Sequence, residues 1–168
     1  MRTLWILRHA KAVPHSARDH GRRLAARGRR QCEELSAHLP EMKGTPTLVL
    51  SSSATRALET AEGVLPGLGP AAEVVVEPGL YEADTDDVIE LVRQVDDTRA
   101  EVMVVGHNPT LYEFVLFLLD SGDSKGRKKV EPGLNTAALA VIAFEVDHWA
   151  RLCPGEGHLE ELFVPRAR

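Results

Sequence analysis

Residues Thr3–Ala12 have the sequence TLWILRHAKA, and this stretch decides how the rest of the chain is interpreted. Its apolar first part, Thr3–Leu7, is typical of a strand that is covered on both faces of a sheet. The apolar run ends abruptly at Arg8 and His9, which place a guanidinium next to an imidazole. In open α/β sheets, ligands bind outside the carboxyl ends of the strands. The Arg8-His9 pair is therefore a candidate binding element.

The chain beyond this stretch alternates strand-like and helix-like segments. Near-continuous apolar runs at Thr47–Leu50, Glu73–Val76 and Glu101–Val105 each predict a strand covered on both faces. Helical periodicity lies between these runs, as in the series Val88, Leu91, Val92 and Val95. This alternation predicts a mostly parallel sheet with helices on both sides.

The C-terminal part of the chain has a different pattern. Ala137–Phe144 and Leu159–Val164 are strand-like and predict strands that close or edge the sheet in the antiparallel direction. The Gly-, Lys- and Asp-rich segment Asp120–Gly133 is expected to be a surface loop. The predicted fold class is therefore α/β, a three-layer α/β/α sandwich whose mostly parallel sheet has an antiparallel edge. Residues 1–168 are expected to form a single domain.

The bulk composition excludes several classes of protein. A net charge of −5 disfavours a dedicated nucleic-acid binder, and no apolar run approaches the length of a membrane span. Cys32 and Cys153 are far apart, which suits neither a disulfide framework nor a zinc site. The expected setting is reduced and cytoplasmic, with no membrane or nucleic-acid partner and no metal site.

Charged side chains follow each of the first four predicted strands. These segments are Arg8-His9, Ser51–Arg56, Pro78–Glu82 and Gly106–Pro109. Because the carboxyl ends of parallel strands meet at one edge of a sheet, we expect two arginines, two histidines and the Glu82 carboxylate to converge there.

Two helix starts at this edge favour a bound anion. Arg56 falls in the first turn of a helix that Ser52 or Ser53 is expected to cap, and a cation there opposes the helix dipole by about 0.3–1 kcal/mol. A bound phosphate would compensate for this cost. Asn108 is the expected N-cap of the next helix. The dipole of that helix should disfavour a positively charged His107 when no anion is bound.

This set of side chains suits phosphoryl transfer. A phosphoryl group in transfer spreads its charge over three equatorial oxygens, and arginines match that geometry with charged hydrogen bonds worth about 1.5–3 kcal/mol each. One histidine can donate to an oxygen, and the other can attack phosphorus as a neutral nucleophile. His9 is the better candidate nucleophile, because it emerges from a buried strand beside Arg8.

These motifs resemble those of the histidine phosphatase superfamily, and more closely those of the short SixA-type phosphohistidine phosphatases. The matching stretches are LRHAKA at Leu7–Ala12, DHGRRLAARG at Asp19–Gly28, SSSATRALETA at Ser51–Ala61, LYEA at Leu80–Ala83 and VGHNPT at Val105–Thr110. The likeness extends in order from Leu7 to about Leu119. Ala10 replaces the glycine of the Arg-His-Gly signature, and Ala25 stands where a Thr or Ser usually caps the first helix.

The resemblance implies a histidine phosphatase fold like that of phosphoglycerate mutases, and it assigns roles to the converging side chains. It makes His9 the phosphorylated nucleophile and places Arg8, Arg56 and His107 in the phosphate pocket. Glu82 falls where many relatives keep a proton donor. The implied reaction has two steps, phosphorylation of His9 and its hydrolysis by water, and needs no metal or other cofactor.

Arg22 and Lys11 are further candidates for contacting the substrate. The basic stretches Arg18–Arg30 and Lys125–Lys129 are expected to be solvated surface, although the first could also steer anions. Surface or packing roles are expected for the other histidines, which are His15, His20, His38, His148 and His158.

Three functions remain open from the sequence. The chain is expected to hydrolyse phosphohistidine in proteins or small phosphomonoesters such as sugar phosphates or nucleoside monophosphates. The alternatives are a phosphomonoesterase with no protein substrate, or a non-catalytic module that binds phosphate. The partner is thus a phosphorylated small molecule or a phosphohistidine-bearing protein, and the oligomeric state stays open.

Overall fold

The central feature of the fold is one mixed sheet. The computed structural model describes residues 1–14 and 17–168, so His15 lies outside the described residues. Within them, the sheet has the strand order β3-β2-β4-β1-β5-β6. Its strands are β1 (Arg2–Arg8), β2 (Leu48–Ser51), β3 (Glu73–Val76), β4 (Glu101–Gly106), β5 (Leu139–Phe144) and β6 (His158–Phe163).

The directions of the strands confirm the predicted sheet. β1, β2, β3 and β4 pair in parallel, whereas β5 is antiparallel to both β1 and β6. β1 and β4 are central, and Leu4–Leu7 are fully buried, as a continuous apolar run predicts. The expectation that β3 is covered on both faces is wrong. It is an edge strand with every residue partly or well exposed, and Val76 is 46% exposed.

Helices cover both faces of the sheet and make the predicted three layers. They are α1 (Ala26–His38), α2 (Thr55–Leu68), α3 (Thr85–Arg93), α4 (Thr110–Leu118) and α5 (Ser124–Val130). Trp5 and Leu7 pack in the apolar cluster that includes residues of α1 and α2, whereas Leu4 and Ile6 pack with residues of α3 and α4. Alternate side chains of one strand thus fill both cores, as period-2 geometry requires. No helix among the described residues has the length and apolar character needed to cross a membrane.

The segment predicted to be a surface loop, Asp120–Gly133, contains α5 instead. Asp123 caps this helix by accepting a hydrogen bond from the Gly126 backbone N–H at 3.0 Å, and it also accepts one from the Leu159 N–H at 2.9 Å. Val130 is fully buried and anchors the other end of the helix. A seven-residue helix with one buried apolar residue is too short to show periodicity in the sequence.

The expected helix caps need correction. The N-cap of α2 is Ala54, and the Ser52 hydroxyl accepts from the Ala54 N–H at 3.2 Å rather than capping the helix. α4 begins at Thr110 with Pro109 as its N-cap, and the Asn108 side chain accepts from the Tyr112 N–H at 3.2 Å. Ala25 is the N-cap of α1. Its methyl side chain cannot accept a hydrogen bond, so it provides no side-chain cap.

Candidate active site

Four of the predicted side chains meet at the carboxyl end of the parallel strands. Arg8 is the last residue of β1 and His9 follows it, Arg56 lies in the first turn of α2 after β2, and His107 follows β4. The strand order β2-β4-β1 makes these three strand ends adjacent. The ring centroids of His9 and His107 are 5.3 Å apart. The structure therefore brings together the set that the sequence singled out.

The ring of His9 is held in one orientation and stays neutral. Its Nδ1 lies 2.8 Å from the Ala10 carbonyl oxygen, so Nδ1 carries the proton and Nε2 keeps its lone pair. The side chain is only 8% exposed. Burial, reinforced by the positive charges of nearby groups, lowers the pKa of His9 to about 3. A neutral imidazole with a free Nε2 lone pair is the form that can act as a nucleophile.

Two buried polar side chains fix the backbone beside His9. The Ala10 N–H donates to the Thr60 hydroxyl at 2.9 Å, and that hydroxyl donates to the Arg56 carbonyl at 2.7 Å. The Lys11 N–H donates to Gln31 Oε1 on α1 at 2.9 Å. A Cβ added to Gly28 would lie 2.1 Å from the Lys11 carbonyl oxygen, so only glycine allows α1 to approach this closely.

The hydrogen bonds around His107 favour one tautomer. The buried Ser52 hydroxyl accepts from the Ala54 N–H and lies 2.8 Å from His107 Nε2, and we assign the hydroxyl as the donor because this gives its own proton an acceptor. Nδ1 of His107 therefore carries a proton, and it is buried without a partner among the described residues. Burial first, and the charge of Arg56 second, lower the pKa of His107 to about 4. Burial thus supports the expected preference for a neutral His107.

Both arginines have a buried N–H that lacks a partner. Arg8 donates from Nη1 to the Leu134 carbonyl at 3.0 Å, while Arg56 donates from Nη1 and Nη2 to the Asp19 carbonyl and carboxylate at 2.8 and 3.1 Å. The Nε of each is buried and unpaired among the described residues, as is Nδ1 of His107. Burial also lowers the pKa of Arg8. Buried donors without acceptors cost free energy, and an anion placed among them would satisfy all three.

Sequence reasoning assigned no role to Asp19, which the structure places at the rim of this cluster. Its carboxylate accepts from Arg56, from the Tyr81 hydroxyl at 2.6 Å and from Arg22 Nη1 at 3.0 Å. The Tyr81 hydroxyl, followed by Arg22, holds the pKa of Asp19 well below its usual range. Asp19 thus orients Arg56. The signal was present in the sequence, because Asp19 opens the motif Asp19–Gly28.

The three less certain candidates lie outside the buried cluster. Arg22 pairs with Asp19 and donates from Nε to the Val13 carbonyl at 2.9 Å, so its contacts support the rim. Lys11 is exposed. Glu82 is also exposed, and it lines a cavity of about 180 Å³ together with Tyr81 and His107.

The remaining histidines and the basic stretches make local contacts. His20 lies at the rim, 2.9 Å from the Ser53 hydroxyl, and His38, His148 and His158 lie close to carboxylates elsewhere. In the first basic stretch, Arg23 pairs with Glu59 and Arg29 donates to the Leu24 carbonyl. Among the described residues, no group of three or more His, Cys, Asp or Glu side chains is arranged to hold a metal ion.

The sequence of this chain matches a known family. Residues 4–113 match the model of the histidine phosphatase superfamily (branch 1), and the chain belongs to that superfamily. Within it, the chain is of the SixA type.

Individual proteins are also similar to this chain. A Mycobacterium tuberculosis protein described as uncharacterized is 34% identical over 95% of this chain and 100% of its own length. The structure of SixA from Nakamurella multipartitia, named as a putative phosphohistidine phosphatase, is 26% identical with a TM-score of 0.87 and covers 99% of this chain and 97% of its own. A protein from Escherichia coli, named as a putative alpha-ribazole-5'-P phosphatase, shares the fold at 16% identity and a TM-score of 0.69 over 98% of both chains.

Proposed function

We propose that this chain is a phosphatase that transfers a phosphoryl group first to His9 and then to water. Membership of the histidine phosphatase superfamily supports phosphatase activity. The observation that carries the proposal is the set of buried N–H groups on Arg8, Arg56 and His107 that have no partner among the described residues, next to a neutral His9. These donors match a phosphoryl group, whose three equatorial oxygens carry the developing charge.

In the first step, the lone pair of His9 Nε2 attacks phosphorus. A P–N bond forms while the bond from phosphorus to the leaving group breaks, and the leaving group takes the bonding electrons and a proton. Arg8, Arg56 and His107 donate to the equatorial oxygens and stabilise their charge. Glu82 is the proposed source of the proton, and alkoxide leaving groups need it more than an imidazole does.

In the second step, water attacks the phosphorus of the phosphohistidine. The P–N bond breaks, its electron pair returns to Nε2, and inorganic phosphate leaves. One proton of the water passes to solvent or to the phosphate. The Nδ1 hydrogen bond to the Ala10 carbonyl holds the imidazole in the same tautomer through both steps. No step of this proposed route uses a metal or another cofactor.

The proposed substrate class is phosphohistidine in proteins. The name of the Nakamurella relative supports it, and the rim residues leave the site open to solvent on the side of Tyr81 and Glu82. A small phosphomonoester is the second candidate, because the fold also occurs in the Escherichia coli enzyme. We also propose that residues 1–168 form one domain. Its proposed partner is a phosphorylated protein or a phosphorylated small molecule.

Trapping the intermediate tests the proposal. The protein is incubated with a substrate labelled in its phosphoryl group and denatured in alkali, in which phosphohistidine survives. We expect label on the wild type that acid removes, no label on His9→Asn, and normal labelling of His148→Asn, a matched change far from the site. Label on His9→Asn at the wild-type level, or a wild type that neither takes up label nor hydrolyses any phosphorylated substrate, would contradict the proposal.

A further inference from the structure

A line of four rings leads from the buried nucleophile to the surface. The ring centroids of His9 and His107 are 5.3 Å apart, those of His107 and Tyr81 are 5.6 Å apart, and those of Tyr81 and His20 are 4.8 Å apart. His9 is buried, whereas Tyr81 and His20 are partly exposed at the rim. Tyr81 lines the same cavity of about 180 Å³ as His107, and His20 packs against Tyr81.

Hydrogen bonds hold the two outer rings in place. The Tyr81 hydroxyl donates to Asp19 at 2.6 Å, and His20 Nε2 lies 2.9 Å from the Ser53 hydroxyl. The Arg56 guanidinium carbon lies 6.0 Å from the Tyr81 ring centroid, which ties this ring to the phosphate pocket. Rings that are already fixed lose little conformational entropy when a ligand binds.

We propose that Tyr81 and His20 form a subsite for a planar aromatic ring carried by the phosphoryl group. This inference rests on the proposed function and names the class of its leaving group. A phosphoryl group held by Arg8, Arg56 and His107 would place its leaving group at the rim, beside the exposed rings. Aromatic pairs prefer centroid separations of about 4.5–7 Å, so a ring carried by the phosphoryl group would be stabilised if it lay within that distance of the exposed part of Tyr81 or His20. An aliphatic leaving group would lack the ring quadrupole on which that preference rests.

Tyr81 could instead serve only as the hydrogen-bond donor that holds Asp19, and two substitutions separate these roles. Tyr81→Phe removes the hydroxyl and keeps the ring. Tyr81→Leu removes both. A role limited to the hydroxyl predicts the same behaviour for the two variants, whereas an aromatic subsite predicts that only Tyr81→Leu loses the preference for a planar ring.

Phosphonates that cannot be hydrolysed measure this preference without leaving-group chemistry. Benzylphosphonate and cyclohexylmethylphosphonate differ in the planarity of the ring, and methylphosphonate reports the phosphate pocket alone. We expect the wild type to bind benzylphosphonate about 2- to 10-fold more tightly than the cyclohexyl compound, from the usual strength of aromatic pairs. Tyr81→Phe should keep that ratio even if it binds methylphosphonate more weakly, and Tyr81→Leu should reduce the ratio to about one.

The outcomes separate this inference from the proposed function. Wild type that binds methylphosphonate but shows no preference between the two ring compounds would overturn the subsite alone, as would an unchanged ratio in Tyr81→Leu. Wild type that binds no phosphonate at all would contradict the proposed function as well. Thermal unfolding of both variants verifies that they are folded.

Peptides then distinguish the two sources of a planar ring, the imidazole of phosphohistidine and the phenol of phosphotyrosine. A phosphoserine peptide is the reference. For each peptide, kcat/KM is compared between Tyr81→Leu and Tyr81→Phe. The subsite binds the ring of the peptide whose kcat/KM falls more in Tyr81→Leu, relative to Tyr81→Phe, than that of the phosphoserine peptide does. An equal change on all three peptides would contradict the subsite.

Discussion

The two ends of the sheet use their charged side chains differently. At the amino end, Arg99 donates to the Thr47 carbonyl at 2.8 Å and to the Glu73 carboxylate at 2.7 Å, so its positive charge is matched within the chain. At the carboxyl end, Arg56 is only 6% exposed, and although it pairs with Asp19, its Nε has no partner among the described residues. Two histidines there have lowered pKa values. The donors of Arg99 are thus used within the fold, whereas the carboxyl end keeps buried donors that suit an anion from outside.

Arg2 shows that one unpaired nitrogen alone does not mark a site. Its Nε is also buried without a partner among the described residues, but its Nη2 lies 3.7 Å from Asp97. The carboxyl end differs because three such nitrogens, on Arg8, Arg56 and His107, gather around one imidazole. The contrast between the ends therefore lies in the grouping of the donors.

The largest expected effect on kcat/KM comes from replacing Arg56 with methionine, and the same replacement of Arg99 is its control. Arg56→Met should lower kcat/KM about 10²- to 10³-fold, because it removes charged hydrogen bonds to the phosphoryl group. Its free energy of unfolding should fall by about 1 kcal/mol, as for the control at Arg99, because the ion pair and the backbone hydrogen bond to Asp19 are lost.

Arg99→Met is the matched change at the amino end. It should leave kcat/KM near the wild-type value and lower the free energy of unfolding by about 1 kcal/mol, as expected for a partly exposed ion pair with a backbone hydrogen bond. Chemical denaturation and steady-state kinetics check both variants. The same pattern of losses in the two variants would remove the contrast between the ends.

Glu82→Gln tests whether Glu82, at the carboxyl end of the sheet, protonates the leaving group. We expect it to slow hydrolysis of a phosphomonoester about 10²-fold, at the low end for general acid catalysis because Glu82 is exposed. Hydrolysis of phosphohistidine should change much less. Equal losses of kcat/KM on both substrates would count against Glu82 as the acid.

The pH dependence of stability tests the buried state of His9. The pKa of His9 is about 3 in the folded chain, below its ordinary value of 6.5. Between these values the unfolded chain binds a proton that the folded chain does not, so stability is full above pH 6.5 and falls as the pH decreases toward 3. From pH 7 to pH 5, His9 should account for a loss of about 2 kcal/mol in the free energy of unfolding.

His9→Asn should lose that part of the pH dependence. Urea denaturation of the wild type and the variant at several pH values measures the difference. Identical slopes in the two proteins would mean that His9 is not held neutral by burial.

The smallest expected effect lies away from the site, at the uncapped start of α1. Ala25→Ser supplies the missing acceptor for a free N–H group and should raise the free energy of unfolding by about 1 kcal/mol. It should leave kcat/KM unchanged. A loss of stability in thermal unfolding would show that the backbone at Ala25 does not suit a serine cap.

How well each feature could be predicted from the sequence depends on how local its sequence signal is. Arg8, His9, Arg56 and His107 could be placed together because each follows a strongly apolar strand, and strand ends are set by short-range patterns. The motif Asp19–Gly28 drew attention to Asp19 but not to its partners, because Tyr81 is far away in sequence and the contact depends on how the loops meet. α5 escaped detection because Val130 is its one buried apolar residue, which leaves no periodic pattern in the sequence.

A structure of the protein with bound tungstate, an anion that mimics phosphate, tests the central claim most directly. The account predicts the metal oxyanion within hydrogen-bond distance of Arg8 Nε, Arg56 Nε and His107 Nδ1, with its central atom facing His9 Nε2. An anion bound elsewhere, with those three nitrogens still unpaired, would contradict it.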